Sequence, residues 1–498
     1  MRRILGCALA AGALLACPAA AGANHGAADL AMNMRHVANA PTPPQFEAGP
    51  EAADFNSDLA FWGDLAFAGN YNGFRIVDIS RPRRPRDVAV VNCRGPQNDV
   101  GVWGRSKNRP ELLFLGVDAP RQRACGPAAT GDFEGIRIFD VRNPRSPRHI
   151  TDVDVECGAH TFTLVYDEQD RRLDTIHLYV PSSISSTGPR CPGSTNRLRH
   201  QQISIVDVPV DDPEDAVARP YPIHEDTLST VFNPVIQGCH DHQAFLELDI
   251  VAASCNGEGQ LWDISDPANP CTRDPSCHTH VRNPFFVFFH NAVFTWDGEV
   301  VGFTDEWGGG SAHGCDGPQD TRGNTYFYEV VEPGQPIGPP IERYMIARPQ
   351  PATEECTTHN GMFIPVEDRY LYVAAWYRAG TSVGDISNPN GPADSAPEVA
   401  FFDAQGVDGR GMADTWSSYW YNDFVYANDG LRPRPLRGLD VFRLTGRPGR
   451  QADDAEEFDY LNPQTQEEVL FDGRDDDDDD TDDDDDTDDD RDTDDDSD

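Results

Sequence analysis

A short apolar strand motif that ends in aspartate recurs along the chain. Its first copy, residues 74–80, reads Phe-Arg-Ile-Val-Asp-Ile-Ser. Internal self-similarity of this kind is typical of repeat architectures, in which each unit buries its apolar face only by packing against its neighbours. Three further copies follow at residues 135–141, 203–208 and 259–265, and three weaker copies lie at 325–330, 381–389 and 438–444.

The first repeat contains four short strands. Residues 57–62 and 64–70 precede the motif, and a proline-containing turn at 81–85 leads to a further strand at 87–91. Proline lacks the N–H group that a strand ladder needs, so it marks the turn between strands. Four strands in each of seven units predict an all-β fold, a seven-bladed β-propeller of four-stranded blades.

The units resemble the LVIVD repeat of exported bacterial and archaeal β-propeller proteins. The resemblance rests on the third strand of each unit, on the Asp-Ile-Ser-Asp-Pro-Ala-Asn-Pro exit at 263–270, and on the opening segment 33–37. It covers about residues 30–445. Residues 384–386 depart from the pattern and the fifth unit lacks the Asp-Pro exit, which leaves those blade boundaries open. The resemblance implies a propeller fold and little chemistry, since the activity of the family is mostly unassigned.

The two ends of the chain differ from the repeat region in composition. Residues 1–23 combine two arginines, an apolar run and a small-residue cleavage site, which predicts a signal peptide. The propeller is predicted over residues 24–447. We expect residues 32–39 to complete its last blade, with a strand at 467–471 as the alternative. Residues 448–498 are predicted to form an acidic linker and a disordered poly-Asp tail.

A signal peptide predicts a secreted protein, periplasmic or extracellular. Cys17 ends a lipobox-like sequence, so a lipid anchor at Cys17 is the alternative, and no later segment is long and apolar enough to span a bilayer. Ten cysteines remain after Cys7 and Cys17, an even number that predicts disulfides in an oxidising compartment. The connectivity is open, and the pairs that would close a loop or join neighbouring strands are Cys93 with Cys125, Cys239 with Cys255, and Cys271 with Cys277.

The chain is strongly acidic. Its formal net charge is −44, and residues 475–498 alone contain 19 aspartates. An acidic surface repels phosphates and anionic lipids, so nucleic acid is excluded as a partner. The tail lacks the ligand order of an EF-hand loop, so a solvated tail is predicted and loose Ca²⁺ binding is the alternative. We expect a monomer whose partner is a small molecule or an envelope protein or glycan.

Histidines recur at the start of the first strand in four consecutive units. In a propeller the first strand of each blade lines the central channel, and its beginning lies at one mouth. Side chains in this position therefore converge from different blades. Neutral imidazole is a common ligand of Cu, Fe and Zn. The sequence predicts a transition-metal site at the mouth, with the ligands His160, His242, His290 and His359.

Further polar residues accompany these histidines. Asp58 and Asp99 occupy the same position in the first two units, where they would support the metal or replace a ligand. His240 alternates with His242, so the two share a face and only one points at the axis; we favour His242 and keep His240 as the alternate ligand. His278-Thr279-His280 is a similar pair, but it lies in the predicted connection before the fifth unit.

Other functions stay open beside metal binding. The mouth could be a metal-free polar pocket, or the histidines could hydrogen-bond the neighbouring blade as structural latches. In the second case the chain is a non-enzymatic interaction scaffold whose insertions at 181–202, 211–230 and 308–322 make the contacts. The sequence lacks the Gly-x-Ser-x-Gly, His-Glu-x-x-His and P-loop motifs. No catalytic residue is therefore assigned, and whether the chain is an enzyme is open.

Overall fold

The computed structural model describes residues 29–471 with internal gaps. The predicted signal peptide, Cys17 and the poly-Asp tail, for which loose Ca²⁺ binding was the alternative, lie outside the described residues. Within 29–471 the undescribed residues are 47–54, 122–124, 126–132, 168–172, 182–201, 225–237, 256, 309–314, 352–353, 409–411 and 431–436.

The described residues are almost entirely strands and turns. Strands β1 (Leu30–Met32) and β2 (Met34–Ala40) come first. Blades 1 to 3 follow as β3 (Asn56–Trp62), β4 (Leu65–Asn70), β5 (Gly73–Asp78), β6 (Arg86–Asn92), β7 (Gln97–Trp103), β8 (Leu112–Arg121), β9 (Phe133–Asp140), β10 (Arg148–Asp154), β11 (Thr163–Val165), β12 (Thr175–Pro181), β13 (Gln202–Pro209) and β14 (Val217–Pro222), with a 3₁₀ turn at Pro213–Asp215.

The second half of the chain continues the same order. Blades 4 to 6 comprise β15 (Cys239–Phe245), β16 (Ile250–Cys255), β17 (Glu258–Asp263), β18 (His278–Val281), β19 (Phe289–Phe294), β20 (Val300–Asp305), β21 (Thr325–Glu329), β22 (Glu342–Tyr344), β23 (Gly361–Phe363), β24 (Leu371–Ala375), β25 (Thr381–Asp385) and β26 (Glu398–Asp403). Blade 7 and the C-terminal segment comprise β27 (Thr415–Tyr421), β28 (Phe424–Asp429), β29 (Gly438–Leu444), helix α1 (Gly446–Gln451), β30 (Tyr460–Leu461) and β31 (Thr465–Gln466).

Seven antiparallel four-stranded blades surround a central channel. The first strand of each blade is innermost, and β27 of blade 7 contacts β3 of blade 1, which closes the ring. Every copy of the repeated motif is the third strand of a blade, from β5 to β29. The prediction of a seven-bladed, four-stranded β-propeller is therefore confirmed.

The aspartate that ends the motif has a local structural role. In blade 1 the Asp78 carboxylate accepts hydrogen bonds from the Ser80 backbone N–H at 3.0 Å and from the Ser80 hydroxyl at 2.6 Å. A short acidic side chain that binds the backbone two residues later ends the strand in a turn. The same contact to the backbone N–H two residues later is made by Asp140, Asp263 and Asp385.

The N-terminal segment closes the ring, as the sequence predicts. Strand β2 pairs antiparallel with β29, from Met34 opposite Leu444 to Ala40 opposite Leu439, and so supplies the outer strand of blade 7. Strand β1 adds to β26 at the outer edge of blade 6. Residues 467–471, the alternative closing strand, form no strand.

The propeller continues beyond the predicted boundary at residue 447. Strand β30 pairs antiparallel with the end of β3, and β31 pairs parallel with the end of β15. Between these two strands, the Asn462 side chain bonds both the N–H and the C=O of Val102 at 2.8 Å. The segment therefore crosses the mouth at which the inner strands end, opposite the mouth at which they begin.

The same segment also contacts the other blades. The Thr465 hydroxyl donates to the Leu164 carbonyl of blade 3, and the Leu470 N–H donates to the Trp296 carbonyl after β19, both at 2.8 Å. The Phe458 N–H donates to the Asn422 side chain of blade 7 at 2.8 Å. The acidic composition of 448–471 hides this role, because the few apolar side chains that pack against the core, such as Phe458 and Leu461, follow no strand or helix period.

The three predicted disulfides are confirmed. Cys93–Cys125, Cys239–Cys255 and Cys271–Cys277 are bonded, and a fourth bond joins Cys315 and Cys356. Such cysteine usage is typical of an oxidising compartment. Within the described ranges, no helix is long and apolar enough to cross a membrane.

Candidate metal centre at the channel mouth

Four histidines from consecutive blades gather where the inner strands begin. The His160 and His240 rings lie 4.5 Å apart between centroids, His240 and His290 lie 4.2 Å apart, and His290 and His359 also lie 4.2 Å apart. His240, His290 and His359 are buried, with at most 5% of each residue exposed. The blades therefore bring together three of the four predicted ligands, with His240 as the fourth member of the row.

His242 lies elsewhere because a β-bulge interrupts its strand. The pairing of β15 with β16 shifts register between Cys239 and Asp241. A bulge breaks the strict alternation of side chains, so His240 and His242 no longer share a face. The His242 ring packs against Trp262 at a centroid distance of 5.0 Å, and burial lowers its pKa to about 3. The structure thus brings His240 into the cluster in place of the favoured His242.

A buried glutamate completes the cluster. Glu306 Oε2 lies 3.7 Å from His290 Nε2, and Glu306 Oε1 lies 3.9 Å from His359 Nε2. The candidate ligand atoms of His240, His290 and Glu306 all lie within 4.8 Å of one another. The Tyr377 hydroxyl donates to Glu306 Oε1 at 2.5 Å and so orients the carboxylate. Two imidazoles and one carboxylate, with a third imidazole at the carboxylate, form a donor set that suits Fe, Cu or Zn.

Glu306 is held rigidly by its neighbour in sequence. The Asp305 carboxylate accepts hydrogen bonds from the N–H groups of Val287, Phe288 and Gly323 at 2.8–2.9 Å. The Glu306 N–H donates to the Phe288 carbonyl at 3.1 Å. These bonds tie the end of β20 to the segments before β19 and β21. These bonds therefore fix the direction in which the Glu306 side chain points into the mouth.

Backbone carbonyls select the tautomer of two histidines. His359 Nδ1 lies 2.6 Å from the Trp416 carbonyl, and His240 Nδ1 lies 3.2 Å from the His290 carbonyl. A carbonyl oxygen only accepts, so each Nδ1 carries the hydrogen and each Nε2 keeps its lone pair. Histidines that bind metals are commonly oriented in this way by a second partner on the other ring nitrogen. His290 Nδ1 is buried and has no hydrogen-bond partner.

The electrostatics of the cluster favour neutral histidines beside a carboxylate. Burial lowers the pKa of His240 and His290 well below the usual value, and it lowers the pKa of His359 to about 3. Burial also raises the pKa of Glu306 to about 7. Neutral imidazoles are the form that binds metals, and a cation would offset the cost of a buried carboxylate.

His160 differs from the other three. Burial alone would lower its pKa, but the Asp118 carboxylate, 3.0 Å from His160 Nδ1, raises it. Gln97 Nε2 lies 3.2 Å from the other ring nitrogen, and the ring is partly exposed. His160 therefore pairs with Asp118 at the rim, whereas the remaining three histidines lie around Glu306.

The predicted aspartates lie one residue deeper in the channel. Asp58 Oδ2 accepts hydrogen bonds from Asn360 at 2.8 Å and from Gln464 of the C-terminal segment at 2.7 Å. Asp99 Oδ2 accepts the Phe162 N–H at 3.1 Å. Burial, then the charges of Asp58 and Asp241, raise the pKa of Asp99 well above its usual value. The bulged strands thus present a histidine level and, beneath it, a level of carboxylates and amides.

The site residues that the sequence analysis did not identify lie at or just after the ends of the second strands of their blades. In an antiparallel pair, the end of the second strand lies beside the start of the first, as Asp305 lies opposite Phe289. The end of every second strand therefore reaches the same mouth as the histidines. A search of those positions for polar side chains would have found Asp118, Glu306 and Tyr377.

The repeat family is visible in the first blade. Residues 56–92, which span β3 to β6, match the family model of the LVIVD repeat. The resemblance predicted for the repeat units is confirmed there, and a comparison with curated proteins gave no match.

Solved propellers share the architecture at low sequence identity. The β-propeller domain of Cps50 (Swd1) from Myceliophteria thermophila is 10% identical, with a TM-score of 0.47 over 79% of this chain and 98% of that chain. The periplasmic gluconolactonase of Pseudomonas aeruginosa is 11% identical, with a TM-score of 0.46 over 82% of this chain and 99% of that chain. At these TM-scores neither likeness carries an argument about what the chain binds.

Proposed function

We propose that this chain is an exported metal-binding propeller, which holds one transition-metal ion (Fe, Cu or Zn) at the channel mouth. His240, His290, His359 and Glu306 are the ligands, and His160 stands at the rim. The oxidising compartment indicated by the disulfides and the predicted signal peptide support a location outside the cytoplasm. The proposed partner is a small molecule that binds at this mouth.

The observation that carries this proposal is the position of Glu306. A buried carboxylate with Nε2 atoms 3.7 and 3.9 Å away and one tyrosine hydrogen bond is under-stabilised without a cation. The carbonyl contacts of His240 and His359 use only Nδ1, which leaves both Nε2 atoms for a ligand. This arrangement supports coordination.

The alternative is a scaffold whose histidines are structural latches. The Nδ1 contacts of His240 and His359 with neighbouring blades favour this reading, since each joins two blades. A latch needs only Nδ1, however, and it gives Glu306 no role. The two hypotheses therefore differ at Nε2, which a metal ligand needs and a structural latch does not.

The test is the metal content of the full chain, expressed with export and purified without a tag. We expect about one tightly held equivalent of Fe, Cu or Zn at the mouth that resists dialysis, and we expect His290→Ala to lower the metal content by that one equivalent. Less than about 0.3 equivalents in the wild-type protein, after reconstitution with each metal, would overturn the proposal.

His359→Asn separates the two readings. The asparagine amide takes the place of Nδ1 and keeps the bond to the Trp416 carbonyl, while Nε2 is removed. A ligand role predicts loss of the metal with unchanged folding, whereas a latch role predicts no change in metal content. His149→Ala is the matched control, because His149 binds Asp152 on the outer strand β10, outside the mouth.

A further inference from the structure

A second group of histidines lies at the periphery of the propeller. His278 and His280 belong to β18, the outer strand of blade 4, rather than to a connection as the sequence predicts. His224 follows β14, the outer strand of blade 3. The group therefore spans two blades, and it is built on outer strands, whereas the histidines at the mouth precede or open inner strands.

The three rings face one another. The His224 ring lies 5.0 Å from the His278 ring and 5.9 Å from the His280 ring, and His278 and His280 lie 6.0 Å apart between centroids. His278 and His280 are two residues apart on one strand, so their side chains share a face. Candidate ligand atoms of His224, His280 and Glu258 all lie within 4.8 Å of one another.

One ring nitrogen in the group is unsatisfied. His278 Nε2 is buried and has no hydrogen-bond partner among the residues that the structure describes, and only 5% of the residue is exposed. Burial, then the neighbouring His224 and His280, lower the pKa of His278 to about 4. A buried polar atom without a partner costs free energy, which a bound ligand would recover.

The backbone around His224 is fixed by hydrogen bonds to blade 4. The His224 N–H donates to the Thr272 carbonyl at 2.8 Å, and the His224 carbonyl accepts from Gln260 Nε2 at 3.0 Å. The same Gln260 nitrogen donates to Glu258 Oε1 at 2.8 Å, while Trp262 Nε1 donates to Gln260 Oε1 at 2.7 Å. The backbone of His224 and the carboxylate of Glu258 are therefore fixed relative to blade 4 before any ion arrives.

We infer that His224, His280 and Glu258, with His278 beside them, form a second, peripheral site for a divalent transition-metal ion such as Zn²⁺, Cu²⁺ or Ni²⁺, which joins blade 3 to blade 4. Two imidazoles and a carboxylate are an established ligand set for zinc, and they leave a fourth position for His278, water or a further ligand. The Glu258 carboxylate also binds Arg282 at 3.2 Å, which orients it.

The site is independent of the mouth, so its test uses a chain in which the mouth is disabled. Co²⁺ is titrated into full-length protein that carries His290→Ala and His359→Asn. We expect one equivalent to bind with a visible absorption band typical of four-coordinate cobalt, and Zn²⁺ to displace it. His280→Ala is the decisive variant, because the exposed His280 side chain can be removed without disturbing the fold.

In that background we expect His280→Ala to weaken Co²⁺ binding about tenfold or more and to abolish the band. His149→Ala, a histidine outside both groups, should leave binding unchanged. If the mouth variants reduce the yield of folded protein, the same comparison is made in the wild-type chain, where His280→Ala should remove one of two equivalents. An unchanged stoichiometry and band in His280→Ala would overturn the inference, and so would an equal loss in His149→Ala. If the wild-type chain binds a single equivalent and His280→Ala loses it, the proposed metal at the mouth is refuted and the peripheral site is supported.

Discussion

The Glu306 carboxyl is expected to control stability in opposite directions with and without metal. Burial raises its pKa from 4.5 to about 7, although the Tyr377 hydrogen bond opposes the shift. A carboxyl whose pKa is higher in the folded than in the unfolded protein binds its proton more tightly when folded. Its contribution to stability is therefore present at low pH, and it is lost as the pH rises from 4.5 to 7.

Glu306→Gln removes this dependence, because the amide stays neutral and still accepts the Tyr377 hydroxyl. A shift of about 2.5 pKa units corresponds to about 3 kcal/mol, so the metal-free variant should be that much more stable than wild type at pH 8 and equal to it at pH 4. With an unfolding entropy of about 2.1 cal/mol/K per residue over roughly 400 ordered residues, the expected rise in Tm at pH 8 is about 3–4 °C.

The assay is thermal unfolding of both proteins at pH 4, 6 and 8, in chelator and with added Zn²⁺. Without metal the variant should unfold at the higher temperature at pH 8. With Zn²⁺ the order should reverse, because only the wild-type protein gains binding energy from the carboxylate. Exposed Glu329→Gln on β21 is the control and should change neither curve. Equal Tm values at pH 8 in chelator would refute the electrostatic reasoning, and equal stabilisation of both proteins by Zn²⁺ would refute the ligand role.

Three further predictions concern the fold. Truncation after Gly473 should leave the Tm unchanged. Truncation after Thr445 removes the packed Leu461 and Phe458, so it should lower the free energy of unfolding by more than about 3 kcal/mol, measured with denaturant. Equal denaturation midpoints for the two truncated chains would contradict a stabilising role of residues 448–471. Asp78→Ala should cost about 1 kcal/mol through loss of the Ser80 contacts, checked against exposed Asp64→Ala. Arg348→Met should lower the free energy of unfolding by about 3–5 kcal/mol, because it removes the cation that contacts the fully buried carboxylates of Glu398 and Asp403. A change below about 1 kcal/mol in the same unfolding assay would contradict this prediction.

The architecture could be read from the sequence because it repeats. The Ile-Val-Asp-Ile strand, or a weaker copy of it, marks the third strand of every blade, and its aspartate makes the same turn in blades 1, 2, 4 and 6. Closure by β2 followed from the incomplete last unit, and the positions of the cysteines suggested three candidate pairs while the connectivity stayed open. Each of these signals is local or periodic, so one chain suffices to detect it.

The composition of the site was decided by the tertiary structure. The alternation rule placed His240 and His242 on one face, and we favoured His242, but the bulge between Cys239 and Asp241 directs His240 to the mouth and His242 to the apolar layer. A bulge depends on how two strands pair, so it leaves no mark on the pattern of a single strand.

The same limit applies to residues that come from different parts of the chain. Glu306 and Tyr377 follow second strands of different blades, and they meet the histidines only because antiparallel pairing returns the chain to the same mouth. The C-terminal segment reads as an acidic linker, yet its hydrogen bonds with the inner strands hold it across the opposite mouth. The sequence by itself determined the number of blades and the positions that line the channel. Which side chains meet there depended on pairing between strands far apart in the chain, because proximity across a ring of blades has no counterpart in local sequence.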